Sequence, residues 1–353
     1  MVRNDIPMVA GRKASLPTIY GDTPSFIGCP IITKKNIENT DVAIFGVPWE
    51  GTITWGSYTG CELAPKAVRH AAARYGGFLP EYDINLFDYL TIGDFGDVNV
   101  SPGDPTETME KVEMKAREIY RGNAIPFAIG GDHSFTPAIV KALCEKVTGK
   151  VGIIHFDCHL DNVKKFADDE FPRCGPLYRV AQIPQIKTTS IVHFGVRGPR
   201  NAPSQAEYVK EIGAKVFTIK EIHELGIEKA IDQAAHIAHE GTNAMYITIC
   251  SDIFDAAYNP GGPPDFDGLT PRELFYSLFS LGQRGIAGLD FVEIYPLQDA
   301  NGVSSHLAAW SLIYALAGIA MRRKSGLALL FNSKKPVFTK KEIPEGNHLV
   351  LKS

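Results

Sequence analysis

From residue 41 onward, short runs of apolar residues alternate with stretches in which apolar residues recur every three to four positions. The runs are DVAIFGV (41–47), IPFAIGG (125–131), VGIIHFD (151–157), TSIVHFGV (189–196), AMYITIC (244–250), GIAGLDFVEI (285–294) and GLALLF (326–331). Each is apolar throughout rather than alternating, the pattern of strands buried on both faces. Between them, Met109, Val112, Ala116 and Ile119 share one helical face, as do Ile139, Val140, Leu143 and Val147. Ala230, Ile231, Ala234, Ile237 and Ala238 form a third such face, which Gly241 stops. Thr270-Pro271-Arg272-Glu273 has the form of a capping box with proline at the first helical position, so a helix starts there. Alternating strand and helix predict an α/β fold with right-handed crossovers, a mostly parallel sheet and helices on both faces. Residues 1–40 are rich in Pro, Gly and Thr without a period and read as an extended N-terminal arm. No repeat or linker divides the rest, so 41–353 reads as a single domain.

Composition narrows the setting. The net charge of −4 leaves no basic field to hold nucleic acid. The longest nearly apolar run, Ala308 to Met321, is 14 residues, against the roughly 20 a bilayer span needs. The N-terminus MVRNDIPMVAGRK lacks the apolar core of a signal peptide. Six cysteines without a CxxC pair do not form a disulfide scaffold, and a cytoplasmic setting is expected.

In parallel sheets ligands sit beyond the carboxyl ends of the strands, so the polar residues just after each run are the candidates. Asp157, His159 and Asp161 lie two apart where the third run ends. In extended geometry they share a face, and mixed oxygen and nitrogen donors suit a first-row divalent metal such as Mn, Ni, Fe or Zn. Ordinary hydrogen bonding at a polar strand end is the alternative. His133 follows two glycines at the second run's end, as a ligand, a cap or a core residue. Cys250 and Asp252 are again two apart. Glu293 is embedded in an apolar run, where a carboxylate needs a cation, either a ligand or a structural ion-pair partner.

Taken together, GGDHS at 130–134, HFDCHLD at 155–161, SDIFDAAYNPG at 251–261 and LDFVEIYP at 289–296 resemble the ureohydrolase family of arginases, agmatinases and related amidinohydrolases. FGVPWEG at 45–51, APKAVR at 64–69 and FGVRGP at 194–199 resemble its connecting motifs, in the same order, so the likeness covers roughly 40–335. It implies a three-layer α/β/α sandwich around an eight-stranded parallel sheet, assembled into trimers or hexamers. It also implies two divalent ions, manganese or nickel, and a small guanidino-type substrate such as guanidine, agmatine or guanidinobutyrate. His133, Asp157 and Asp161 would hold one ion, and Asp157, His159 and Asp252 the other. Glu293 would pair with the substrate guanidinium. The stretch NPGGPPDFDGLTPREL at 259–274 looks most like bacterial guanidine and biguanide (metformin-type) hydrolase subunits, some of which pair with a homologous chain.

Two positions depart from the family pattern. Cys250 stands where the resemblance implies a carboxylate bridging both ions. It is either a thiolate ligand favouring a softer ion such as Ni or Zn, or a neutral thiol in a site that no longer closes around two ions. Cys174 stands where many members carry a proton-shuttling histidine, and a thiol is a poorer proton donor at neutral pH. A catalytically impaired structural or regulatory subunit, working beside a catalytic homologue, is therefore the alternative to an active enzyme. The loop from Trp49 through Trp55 to Tyr58 offers aromatic rings either as substrate walls or as packing.

Overall fold

The computed structural model describes residues 23–52 and 58–331. Eight strands form one sheet: β1 (Val42–Val47), β4 (Ile92–Asp97), β5 (Ile125–Gly130), β6 (Val151–Phe156), β7 (Ile186–Val196), β8 (Lys215–Thr218), β9 (Ala244–Cys250) and β10 (Gly288–Val292). A hairpin of β2 (Phe78–Leu79) and β3 (Ile84–Asn85) lies apart from it. The order across the sheet is β4-β1-β5-β10-β9-β6-β7-β8, and every neighbouring pair is parallel.

The apolar runs are continuous because both faces of the sheet are covered. Val42 and Ile44 of β1 join one buried cluster with helices Ala64–Ala72, Ile227–His239, Pro271–Arg284 and Val303–Lys324. The alternating Ala43, Phe45 and Val47 join the other, with helices Pro105–Arg121, Thr136–Lys146 and Pro176–Ala181. This is the expected three-layer sandwich. The capping box at Thr270 is formed, its hydroxyl accepting from Glu273 N while the Glu273 carboxylate accepts from Thr270 N.

Val303–Lys324 is long and apolar enough to cross a membrane by composition alone, but 72% of its apolar stretch is buried against the other helices, the signature of a core helix. Within the expected N-terminal arm, residues 1–22 lie outside the described residues, whereas Phe26 and Ile27 are buried in the first cluster.

One expectation needs correction. The run 326–331 is not a strand: Leu329 is buried against the core, but the segment joins no ladder. Of the loop rings read either as substrate walls or as packing, Trp55 lies outside the described residues. Trp49 is 5% exposed and packs in the second cluster. Tyr58 is exposed and donates to Glu62.

Candidate metal centre and active site

The strand order places the carboxyl ends of β5, β10, β9 and β6 side by side. β5 and β6 are consecutive along this part of the chain but separated in space by β10 and β9, so a crevice opens where the winding reverses. Each of the four strands delivers side chains to it. His133 follows β5, Glu293 follows β10, Cys250 ends β9 with Asp252 just beyond, and Asp157, His159 and Asp161 follow β6.

Gly131 ties this edge together. Its N–H donates to Val47 O at 2.9 Å, and its carbonyl accepts from Glu293 N at 2.9 Å. A Cβ here would overlap the Trp49 carbonyl, so only glycine fits. Asp161 (φ 43°) and Glu293 (φ 63°) both adopt the left-handed backbone region that non-glycine residues rarely enter.

The side chains converge as the sequence suggested. His133 Nδ1 lies 3.3 Å from Asp157 Oδ2 and 3.1 Å from Asp161 Oδ2. His159 Nδ1 lies 3.2 Å from Asp157 Oδ1 and 3.0 Å from Asp252 Oδ2. Asp157, Cys250 and Asp252 present donor atoms within 4.8 Å of one another, and so do His133, His155, Asp157 and Asp161. His133 Nδ1 and Asp252 Oδ2 are buried yet have no hydrogen-bond partner among the described residues. Each faces ion-pair partners at 3.0–3.3 Å across the cluster, and buried polar atoms without hydrogen bonds are costly. Together with the carboxylates they form a set of oxygen and nitrogen donors that fits a divalent metal.

The support behind His133 fixes which nitrogen faces the gap. Thr248 Oγ1 donates to Asp290 Oδ1 at 2.5 Å, so at 2.8 Å from His133 Nε2 it can only accept. Nε2 therefore carries a proton, and Nδ1 is left for the carboxylates. Asp290 is fully buried and also accepts from Tyr246 OH and Thr136 Oγ1.

Charge follows geometry. Burial disfavours a charged His133, but Asp157 and Asp161 outweigh it and raise its pKa well above 6.5. His159 is raised likewise, burial opposing while Asp252 and Asp157 prevail. Burial also works against the Asp157 carboxylate, yet His155, His133 and His159 hold it well below its ordinary value. Burial and the Asp157 charge raise Asp161. The raised values favour protonated, cationic imidazoles between the carboxylates.

Burial, then the charges of Asp157 and Asp252, push the Cys250 thiol well up. Cys174 is half-buried, and burial with Asp161 pushes it up to about 12. Neither is a thiolate at neutral pH without a bound cation.

A cavity of about 330 Å³ opens onto this cluster, lined among others by His159, Asp161, Cys174, Cys250, Asp252 and Glu293. Besides the His159 imidazole, its aromatic walls are Phe166 and Tyr295. Glu293 Oε1 accepts from His133 N at 2.9 Å, and Oε2 from Tyr295 OH at 2.7 Å. Burial pushes its pKa up to about 7, against the pull of Arg173.

Sequence reasoning missed several participants. Arg173 Nη1 lies 3.2 Å from Glu293 Oε2. His155 Nε2 contacts Asp157 Oδ2 at 3.0 Å, and His155 Nδ1 contacts His193 Nδ1 at 3.0 Å. Burial and His155 push His193 down to about 3. His155 is two residues from Asp157 in a strand, and that spacing was signal enough to find it. Asp290 breaks an apolar run as Glu293 does, so the same argument applied to it.

A model of the arginase family matches residues 40–318. The chain belongs to the arginase family. Among curated relatives, guanidinopropionase of Pseudomonas aeruginosa is 28% identical over 309 residues, covering 87% of this chain and 94% of that protein. Among solved structures, proclavaminate amidino hydrolase from Streptomyces clavuligerus superposes with a TM-score of 0.79 at 27% identity, covering 86% of this chain and 99% of that one. A single-residue variant of Trypanosoma cruzi formiminoglutamase, solved with Mn2+, superposes with a TM-score of 0.75 at 26% identity, covering 81% and 95%. The mostly parallel eight-stranded sheet is thus the arginase-family fold, and the convergent cluster lies at the edge where that fold's strands end.

Proposed function

We propose that this arginase-family chain is a metal-dependent amidinohydrolase that cleaves a C–N bond of a small guanidino or biguanide compound: guanidine, agmatine, guanidinobutyrate or metformin. The observation that carries this reading is the buried convergence of His133 Nδ1 and Asp252 Oδ2, neither with a hydrogen bond among the described residues, on Asp157, Asp161 and His159 within 3.0–3.3 Å, at one end of a cavity of about 330 Å³. His133, Asp157 and Asp161 would hold one ion, Ni or Mn, and Asp157, His159 and Asp252 the second, with Cys250 beside Asp157 and Asp252. When bound, such ions lower the pKa of water and so supply a nucleophile near neutral pH. Asp157 offers one oxygen to each side, which suits a bridging role. Glu293 presents a buried carboxylate where a cationic group can dock. Without bound ions, burial and the Asp161 charge push the Cys174 thiol up to about 12, which makes it a poor proton donor to a leaving amine at neutral pH in that state. The cavity size supports a small substrate, and six free thiols support a reducing, cytoplasmic setting. Assembly into trimers or hexamers, with copies or with homologues, belongs to the same reading.

One observation favours a rival, a silent subunit: the carboxylate of Glu293 already holds a cation from this chain. Metal content and turnover separate the two. The purified full-length chain, loaded with Ni or Mn, should carry two ions and release amine from at least one of the four compounds. Two bound ions with no turnover of any of them would overturn the enzymatic reading. No bound ion would favour the silent subunit.

A further inference from the structure

We propose that Arg173 is an internal occupant of the cavity's guanidinium seat, so that an external guanidino compound reaches Glu293 only by displacing it. The inference rests on the reading of this cavity as a site for a guanidino cation and adds what controls entry to it. The seat is demonstrated by its occupant. Arg173 reaches into the cavity wall from the turn between Pro172 and Gly175, and its side chain is only 4% exposed. Its guanidinium sits 3.2 Å from Glu293 Oε2 and 3.2 Å from Glu50 Oε1, and Nε donates to Thr52 O at 3.1 Å. Asp132 Oδ2 lies 3.7 Å from Nη2. Carboxylates from two loops and a sheet edge thus surround one planar cation, an arrangement suited to a forked donor rather than to a point charge.

The neighbours make the pairing matter. Glu50 also accepts from Thr59 N and Gly60 N, and Asp132 from Gly51 N and Ser134 N, so both carboxylates are fixed by backbone whether or not Arg173 is present. The seat is therefore preformed. Removing the guanidinium leaves buried carboxylates facing a hole of its shape. A tethered group competes at an effective concentration on the order of millimolar or above, so free guanidino compounds bind weakly here while Arg173 is in place. Arg173 precedes Cys174, so displacing it also moves the thiol that lines the same cavity.

The test uses the full-length chain stripped of metal with a chelator, so that no turnover is involved, and reads thermal unfolding. Arg173→Ala should melt below the wild-type protein. Guanidinium chloride at about 5 mM should then raise its midpoint by about 2 °C or more, through ligand binding to the folded state. Ammonium chloride at equal ionic strength should not, and the wild-type protein should gain nothing specific to guanidinium. Arg173→Lys keeps the charge without the fork and should respond less than Arg173→Ala. If Arg173→Ala is recovered soluble only when guanidinium is present during purification, that is the same result by another readout. If it is never recovered, Arg173→Lys decides: a guanidinium-specific gain above wild type supports the seat. Equal effects of guanidinium and ammonium on the variants, or an equal gain in the wild-type protein, would overturn it. Because no metal and no reaction enter the measurement, failure here leaves the amidinohydrolase reading standing, and loss of turnover in the metal-loaded chain leaves guanidinium binding at this seat to be read separately.

Discussion

His133 shows how one hydroxyl decides what an imidazole can bind. Thr248 Oγ1 gives its proton to Asp290 and so must accept from His133 Nε2, which turns the other nitrogen toward Asp157 and Asp161. Thr248→Val removes that acceptor at little change of volume. We expect metal affinity to fall by about 10–100-fold while the fold persists, as read by metal titration and circular dichroism. Asp157→Asn should do more, because Asp157 faces both imidazoles and an amide lacks its charge. Elemental analysis should show the bound metal lost, and full occupancy would exclude Asp157 as a ligand. The raised pKa values of His133 and His159 carry a sign as well. An ion must displace protons held by groups that titrate above 6.5, so metal binding should release protons, and affinity should rise with pH through the neutral range. Calorimetry in two buffers of different ionisation enthalpy checks this: an apparent enthalpy independent of buffer would contradict it. These residues were legible in the sequence because they sit at strand ends, where apolar pattern and polar spacing meet. Arg173 was not, since a lone charge in an irregular loop has no period, and its partners Glu50, Asp132 and Glu293 come from distant segments.

At the scale of elements, the six strands that carry or flank the site were readable because they are apolar on both faces. The two edge strands were not. β4 reads IGDFGD, and its buried Asp94 is tolerated because Arg69 pairs with it at 2.8 Å, a compensation no local pattern reveals. β8 is four residues long and mostly uncovered, so it lacks the apolar run that burial demands. The opposite error at 326–331 has the same root: apolar residues signal burial, which Leu329 achieves without a partner strand. Gly131 is the element-level weak point, since it joins the ends of β1, β5 and β10 through backbone bonds. Gly131→Ala should destabilise by about 1–3 kcal/mol as the Trp49 carbonyl is pushed aside, measurable as a lower denaturant midpoint. It should also weaken metal binding, because His133 and Glu293 are positioned from that node.

For the molecule as a whole, the proposed roles of Cys174 and Cys250 can be tested by whether the chain works by itself. Cys250→Asp with Cys174→His supplies a second carboxylate beside Asp157 and an imidazole with pKa near 6.5 at the cavity wall. If the chain is silent, the double variant should gain metal and at least a trace of amidine hydrolysis. If the thiols serve a working soft-metal site, the same changes should lower activity. Metal analysis and one turnover assay after Ni or Mn loading distinguish the two. No change in either would mean that neither cysteine acts at the site.

The strand order has a consequence for how the molecule comes into being. During synthesis β5 and β6 emerge long before β9 and β10, the two strands that lie between them in the finished sheet. Until residue 292 has left the ribosome, the nascent chain holds two partial sheets whose inner edges are both unpaired and apolar. The last strands close this gap like a keystone, and only then do His133 and Asp157 face each other across a continuous edge. If the proposed ligands hold metal, its capture would be deferred until translation of the sheet is complete, and a prematurely terminated chain would be left with sticky edges and no centre to load.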